Sequence, residues 1–168
     1  MSTIIKTDRL ILKKIELKDI DQLIKNLNNF NITKWLINVR YPYTINDAKN
    51  WIKKSTEEDL CLNIYHQKFL IGGITIDKRK EDKSHVLGYW IGEEYWGRGY
   101  ALEACKAIIS YFFLNKSKIK IYASHMAENE KSKKILLSLG FNKINDGRVY
   151  SISREMEVED INYELIKS

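Results

Sequence analysis

Two glycines at the junction of a predicted strand and a predicted helix point most directly to chemistry. The strand ends near Ile91, and Gly97-Arg98-Gly99 precedes a helix with an apolar face. Glycine lets the backbone approach a ligand closely because it has no Cβ, and a helix N-terminus presents unpaired N–H groups and partial positive charge. The segment is therefore a candidate anion-binding turn, with a tight turn built only for close packing as the alternative.

The spacing around this turn argues against two familiar nucleotide-binding motifs. A dinucleotide fingerprint would have a third glycine where Leu102 stands. A P-loop would end in Gly-Lys followed by Ser or Thr, and that ending is absent here. A phosphate ligand at this turn would have to belong to another class.

Neither the cysteines nor the histidines form a pattern typical of a metal site. Cys61 and Cys105 each lie inside an apolar run, which predicts buried, reduced thiols rather than a disulfide or metal ligands. His66 falls in a predicted turn, and His85 and His125 lie at strand ends, without the spacing of a catalytic pair. The sequence therefore predicts no bound metal.

The elements around the turn do not alternate regularly between strand and helix. Thr44 and Asp47 have the spacing of a capping box, and Gly140 is typical of the position just past a helix end. This irregular order predicts an α+β fold rather than a doubly wound one. Helices are predicted over 18–28, 46–56, from about 101 to 112 and over 131–139, a charged loop over 78–83, and strands over 10–12, 60–65, 69–76, 86–91, 119–124, 148–154 and 161–166.

Composition is typical of a soluble globular domain. The 168 residues, 44% hydrophobic and 30% charged, fit one domain spanning 1–168. The apolar runs are too short to cross a membrane and the first residues lack the layout of a signal peptide, so a cytoplasmic location is expected. The net charge is +6, but the lysines are scattered, which favours a solvated surface over direct nucleic-acid binding and weakly disfavours polycationic substrates.

Residues 95–104, Tyr-Trp-Gly-Arg-Gly-Tyr-Ala-Leu-Glu-Ala, resemble the pyrophosphate-binding turn of GNAT acetyltransferases in the form usual for the RimJ/RimL-like branch. Gly99 and Ala101 match the superfamily pattern, whereas Trp96 replaces its leading Gln or Arg. The segments 7–12, 31–52 and 129–141 resemble the opening strand, the first two helices and the segment that closes the cofactor cleft. The resemblance thus covers nearly the whole chain.

This resemblance implies a GNAT fold: a single mixed, mostly antiparallel, twisted sheet of six to seven strands with about four helices on its two faces. It implies acetyl-CoA as co-substrate, with the pantetheine arm along one strand and the pyrophosphate on main-chain amides. Arg98 would add charge or be a solvated turn residue, and Asn129 would contact the arm or only cap a helix. The implied cofactor-binding residues are Tyr89, Trp90, Ile91, Gly97, Arg98, Gly99, Tyr100, Ala101 and Asn129.

The catalytic assignments implied by the resemblance are fewer. Leu136 occupies the position where the superfamily usually has a Tyr acid, so Ser132 is the candidate proton donor, or else a helix-surface serine. Val86 stands where many relatives carry a Glu base, which leaves the base unassigned. Glu155 or Glu157, on a late predicted strand, could supply it.

In this branch the acceptor pocket is built largely from the first two helices and the C-terminal strands. Trp35, Tyr41, Tyr43 and Tyr150 are possible lining residues, with ordinary packing as the alternative for each. The acceptor is expected to be a primary amine: a protein N-terminus, or the amine of a polyamine, amino sugar or antibiotic. A protein that binds acyl-CoA without catalysis remains a third interpretation, and a homodimer is possible.

Overall fold

A single mixed sheet of eight strands runs through the computed structural model, which describes residues 3–79, 82, 84–114 and 119–166. Residues 80, 81 and 83 of the predicted charged loop lie outside the described residues. The strands are β1 (Ile5–Lys6), β2 (Leu10–Lys13), β3 (Cys61–His66), β4 (Phe69–Lys78), β5 (His85–Ile91), β6 (Lys120–Met126), β7 (Asn142–Ser151) and β8 (Met156–Ile166). The α-helices are α1 (Ile20–Leu27), α2 (Phe30–Thr33), α3 (Ile45–Glu57), α4 (Tyr100–Phe113) and α5 (Glu130–Ser138).

The strand order places one parallel pair inside an otherwise antiparallel sheet. The order is β1-β2-β3-β4-β5-β6-β8-β7, and only β5 and β6 run parallel. A parallel neighbour requires a crossover connection, and α4 supplies it. The turn with the two glycines therefore lies at the start of the crossover helix.

Two apolar cores cover the two faces of the sheet. One core packs α4 and α5 against the sheet through residues such as Ile108 and Leu136. The other packs α1, α2 and α3 against the opposite face and includes Leu23, Ala48 and Trp90. Burial of apolar side chains on both faces stabilises the sheet and thereby positions β5 and β6 within it.

Local signals at two helix ends are confirmed. Thr44 caps α3 and forms the capping box with Asp47: its Oγ1 accepts from Asp47 N at 3.3 Å, and Asp47 Oδ2 accepts from Thr44 N at 2.8 Å. Gly140 has φ +86°, and the N–H groups of Gly140 and Phe141 donate to the last turn of α5. These bonds end α5 as a C′ glycine does.

The predicted α+β class with one mixed, mostly antiparallel sheet is confirmed, and the element count differs slightly from the prediction. The structure adds the two-residue β1 and the four-residue α2, which are too short to show a period. The last hairpin turns at residues 152–155, inside the strand predicted over 148–154. Glu155 adopts φ +52° there, and no glycine or proline marks the turn. None of the helices in the described ranges is both long and apolar enough to cross a bilayer.

Candidate active site

The turn before α4 is open and left-handed. Gly97 and Gly99 have φ +74° and +77°, and Gly99 is the N-cap of the helix. A Cβ at Gly97 would meet no atom within 4 Å, whereas one at Gly99 would lie 3.5 Å from Arg9 Nη2. A left-handed backbone favours glycine because any other residue is strained there. The turn thus leaves open space for a ligand against its backbone.

The backbone donors at the start of α4 are unpaired within the part of the chain that the structure describes. The first N–H groups of an α-helix have no acceptor one turn earlier, and Gly99 has no side chain to cap them. Within the described residues, the N–H groups of Gly99, Tyr100 and Ala101 make no hydrogen bond. With the partial positive charge of a 14-residue helix behind them, these donors suit an anion.

A gap opens between β5 and β6 beyond Val86. The two strands pair only at His85–Ile121 and Val86–Tyr122, although β5 continues to Ile91 and β6 to Met126. The edge of β5 beyond Val86 is therefore not covered by β6. Such an edge presents main-chain groups to an extended ligand.

The register of β5 decides which main-chain groups face this gap. Gly92 N donates to Ile71 O on β4 at 2.7 Å. Because hydrogen-bonded pairs alternate along antiparallel strands, Trp90 also faces β4, while Tyr89 and Ile91 face the gap. Ile91 O already accepts from Trp96 Nε1 at 2.7 Å. The structure thus brings Tyr89 and Ile91 to the edge, whereas the Trp90 main chain faces away and its side chain is buried.

Two hydroxyl groups meet across the gap. Tyr89 Oη lies 2.7 Å from Ser132 Oγ in the first turn of α5. Asn129 Oδ1 accepts from Ser132 N at 3.1 Å, which confirms Asn129 as the N-cap of that helix. Burial raises the pKa of Tyr89 well above its ordinary value, so its phenol stays protonated at neutral pH. Leu136 is fully buried in the core and offers no proton.

On the opposite face of the sheet, the tip of the β7–β8 hairpin reaches α2. Ser153 Oγ donates to Thr33 O at 2.7 Å, and Ile152 N donates to Ile37 O at 3.1 Å. These bonds join the C-terminal strands to the segment after the first helix.

The four aromatic residues considered as pocket lining have different surroundings. Tyr43 is buried in the core with α1 and α3. Tyr41 is half exposed, with its ring 5.5 Å from the ring of Phe30. Trp35 is partly buried, and Tyr150 is 55% exposed on the edge strand β7. Tyr43 is thus a packing residue rather than a surface for a substrate.

An acidic pocket of about 310 Å³ lies at the outer end of β5, beside α1 and α2. Glu93 accepts from Asn29 Nδ2 at 2.6 Å and from Asn31 Nδ2 at 3.0 Å, which fixes its carboxylate. Glu94 pairs with Lys25 at 3.5 Å. Because Lys25 balances the charge of Glu94, Glu93 leaves the lining with one net negative charge, which favours a cationic group.

Asp160 on β8 is a buried carboxyl that sequence reasoning missed. It is only 7% exposed, and its Oδ1 has no hydrogen-bond partner in the described part of the chain. Burial raises its pKa, although Ser124, His125 and Arg79 act in the opposite direction. By contrast, Glu155 and Glu157 are exposed. An Asp within an alternating strand gives no sequence signal of its burial.

The histidines and cysteines form no chemical centre in the described ranges. Cys61 and Cys105 are buried free thiols, and burial raises the pKa of Cys61 to about 12. No group of His, Cys, Asp and Glu among the described residues has the arrangement of a metal site. The rings of His85 and His66 lie 4.8 Å and 5.2 Å from those of Phe112 and Tyr100, and His125 Nε2 lies 3.0 Å from Tyr163 Oη.

Comparison with known proteins shows what this chain resembles. The family model for the acetyltransferase (GNAT) domain matches residues 9–142. The uncharacterized N-acetyltransferase p20 of Bacillus licheniformis is 30% identical, over 96% of this chain and 94% of its own length. The putative ribosomal N-acetyltransferase YdaF of Bacillus subtilis is 23% identical, over 95% and 92%.

Solved structures share the fold at lower sequence identity. An acetyltransferase of the GNAT family from Bacillus anthracis superposes with a TM-score of 0.81, at 20% identity over 98% of both chains. The microcin C7 self-immunity acetyltransferase MccE, solved with acetyl-CoA and AMP, gives 0.78 at 21% identity over 96% and 94%. RimL, a ribosomal L7/L12 α-N-protein acetyltransferase, gives 0.77 at 15% identity over 99% and 96%. These neighbours share the fold of this chain over nearly its whole length.

Proposed function

The chain belongs to the GNAT acetyltransferase family, and on that premise we propose that it acetylates the α-amine of a protein or peptide N-terminus. It is an N-acetyltransferase with acetyl-CoA as co-substrate. The proposal concerns the acceptor and the residues that serve the reaction. Val86, at the point where β5 and β6 separate, is the observation that carries it.

The turn and the free edge of β5 fit the co-substrate. The unpaired N–H groups of Gly99, Tyr100 and Ala101, with Gly97 leaving open space, would hold the pyrophosphate. The main chain of Tyr89 and Ile91 would pair with the pantetheine arm, and Asn129 Nδ2 is available to contact it. When bound, acetyl-CoA supplies an activated acetyl thioester. Arg98 is exposed at the turn, where its charge would favour an anion.

Ser132 and Tyr89 would together supply the proton for the leaving thiolate. Their hydroxyl groups are 2.7 Å apart, so a proton given by Ser132 Oγ can be replaced from Tyr89 Oη. Burial raises the pKa of Tyr89, so its phenol is protonated at the start, and the proton that the amine loses on becoming an amide restores the hydroxyl pair. Transfer by a positioned group contributes roughly 10²–10⁴-fold to a rate.

The acceptor preference follows from the absence of a carboxylate at Val86. An attacking amine must be neutral, and at pH 7 a lysine amine with pKa about 10.4 costs about 4.6 kcal/mol to deprotonate. An α-amine with pKa about 7.7–8.0 costs only about 1 kcal/mol. A site without a strong base at the gap favours the second amine. The acidic pocket at Glu93 would attract either amine as a cation, so it does not change this preference.

The names of two relatives support a protein acceptor. YdaF is described as a putative ribosomal N-acetyltransferase, and RimL as an α-N-protein acetyltransferase. MccE, a self-immunity acetyltransferase, keeps a small-molecule amine as the second candidate.

Two matched peptides test the proposal. One has a free N-terminus and no lysine, and the other has a blocked N-terminus and one lysine. We expect kcat/KM at pH 7 to favour the first by on the order of 10²-fold, with a smaller ratio at higher pH as lysine becomes neutral. Acceptor-dependent thiol release is the readout, after subtraction of hydrolysis without acceptor. Equal or better use of the lysine peptide at pH 7 would refute the preference. A polyamine or amino sugar with a higher kcat/KM than both would establish the second candidate.

A further inference from the structure

Arg9, the residue just before β2, connects the first residues of the chain to the turn before α4. Its Nη1 donates to Arg98 O at 2.9 Å. Its guanidinium carbon lies 4.7 Å from the centre of the Tyr100 ring, and Nη2 lies 3.5 Å from the place where a Gly99 Cβ would be. One side chain therefore contacts Arg98 and Tyr100, the two residues that flank Gly99.

Glu103, in the first turn of α4, holds the other side of this guanidinium. Its Oε2 lies 2.7 Å from Arg9 Nε and 2.6 Å from Arg9 Nη2. Its Oε1 accepts from Arg9 N at 3.0 Å and from Thr7 Oγ1 at 2.6 Å. Glu103 thus anchors Arg9 through side chain and main chain, and the guanidinium is fixed in its approach to Arg98 O.

Glu103 would be unfavourable beside a bound anion if its charge were not balanced. Desolvation alone would raise its pKa, but the hydrogen bonds from Thr7 and Arg9 and the charge of Arg9 lower it, so Glu103 is ionised. Arg9 therefore has two effects at once: it compensates an acidic charge next to the turn and holds the turn itself.

A turn that contains two left-handed glycines needs such support. Gly97 and Gly99 are the most flexible residue type, and an unsupported turn would have to be ordered when the ligand binds. A turn already held in shape binds more tightly because that cost is removed. Planar guanidinium can join Arg98 O and Glu103 simultaneously, which an ammonium group cannot do with the same geometry.

We propose that Arg9 is a positioning residue for the co-substrate, which prearranges the turn at residues 97–99 for a diphosphate. The inference rests on the proposed role of that turn. Loss of a residue that only stabilises the fold would affect every acyl donor. Loss of a positioning residue at this turn would weaken the binding only of ligands that carry a diphosphate.

The experiment compares acetyl-CoA with S-acetylpantetheine, which has the same thioester and no diphosphate. We expect Arg9→Gln to raise KM for acetyl-CoA about tenfold or more, corresponding to about 1.4 kcal/mol. The kcat/KM for S-acetylpantetheine should stay within about twofold of the unchanged protein, because that ligand does not reach the turn. Lys13→Gln is the matched control, since it removes one positive charge at the far end of β2, which Arg9 precedes, at a residue paired with Glu16.

Arg9→Lys separates geometry from charge. Lysine keeps the positive charge but lacks the planar guanidinium with its several N–H donors. We therefore expect Arg9→Lys to lose nearly as much acetyl-CoA affinity as Arg9→Gln. Normal affinity in Arg9→Lys would overturn positioning in favour of simple attraction. Equal losses for both thioesters in Arg9→Gln would overturn it in favour of a general effect on folding. If Gly99→Glu also leaves acetyl-CoA binding unchanged, the role of the turn itself is wrong. If only Gly99→Glu weakens binding, the turn stands and the role of Arg9 is wrong.

Discussion

Replacement of Gly99 by glutamate tests the proposed pyrophosphate site most directly. Gly99 has φ +77° and caps α4, and its missing Cβ faces open space apart from Arg9 at 3.5 Å. That distance is an ordinary contact, so there is space for a Cβ, although the left-handed backbone strains any residue that has one. The loss we expect in Gly99→Glu therefore concerns the ligand, which needs the same backbone shape and the same space.

Two contributions set the size of this loss. A residue with a Cβ is about 1–2 kcal/mol less stable in the left-handed conformation. If the turn relaxes to another conformation in the variant, ligand binding must restore the left-handed one, and the measured affinity falls by that amount. A new negative charge about 5 Å from a phosphate charge adds about 0.8–3.3 kcal/mol per unit charge, between the limits of water and a protein surface. The sum, about 2–5 kcal/mol, corresponds to a rise in Kd of roughly 30-fold to several thousandfold.

Calorimetric titration of acetyl-CoA into Gly99→Glu measures this loss, with circular dichroism to confirm folding. Gly140→Glu is the matched control: φ +86° gives the same backbone strain, the added charge is equal, and the nearest atom to a Cβ is Leu165 Cδ1 at 3.7 Å. We expect the control to lose stability and to keep its affinity. Unchanged affinity in folded Gly99→Glu would refute the assignment of the whole turn.

Further substitutions separate the remaining roles. Ser132→Ala should lower kcat by roughly 10²-fold or more with little change in acetyl-CoA affinity, and Asn129→Ala should mainly weaken that affinity and cost about 0.5–2 kcal/mol of stability as a lost cap. A Ser132→Ala enzyme with normal kcat would return this serine to the helix surface. Tyr89→Phe should also lower kcat, and adding it to Ser132→Ala should cost little more, because the two hydroxyls act as one donor; fully additive losses would contradict this. The pKa of Asp160 is higher in the folded state than in the unfolded state, where it lies near 3.9. The stability that the protonated carboxyl contributes is therefore complete below the unfolded-state pKa and is lost as the pH rises through the folded-state pKa. Asp160→Asn should therefore raise the free energy of unfolding at pH 7 and not at pH 4, as measured by urea denaturation. Destabilisation of the variant at pH 7 would show instead that neighbouring groups stabilise the ionised carboxylate.

The sequence determined those features that depend on residues close together in the chain. The left-handed turn at Gly97 and Gly99 follows from residues that tolerate positive φ, and the end of α5 at Gly140 follows for the same reason. The capping box at Thr44 depends on an exchange of hydrogen bonds over three residues. These turns and helix ends depend on interactions between neighbouring residues, so their conformation can be predicted from those residues alone.

Only the tertiary structure decided how distant residues combine at the site. Tyr89 and Ser132 are 43 residues apart, and Arg9 and Glu103 are 94 apart, yet each pair is in contact. These contacts depend on where β5 and β6 separate and on how α4 and α5 pack over the sheet. The packing depends on the combined burial of many apolar side chains from distant parts of the chain, so no short stretch of sequence determines it. For the same reason the burial of Asp160 and the position of the last hairpin were not predictable from their own residues.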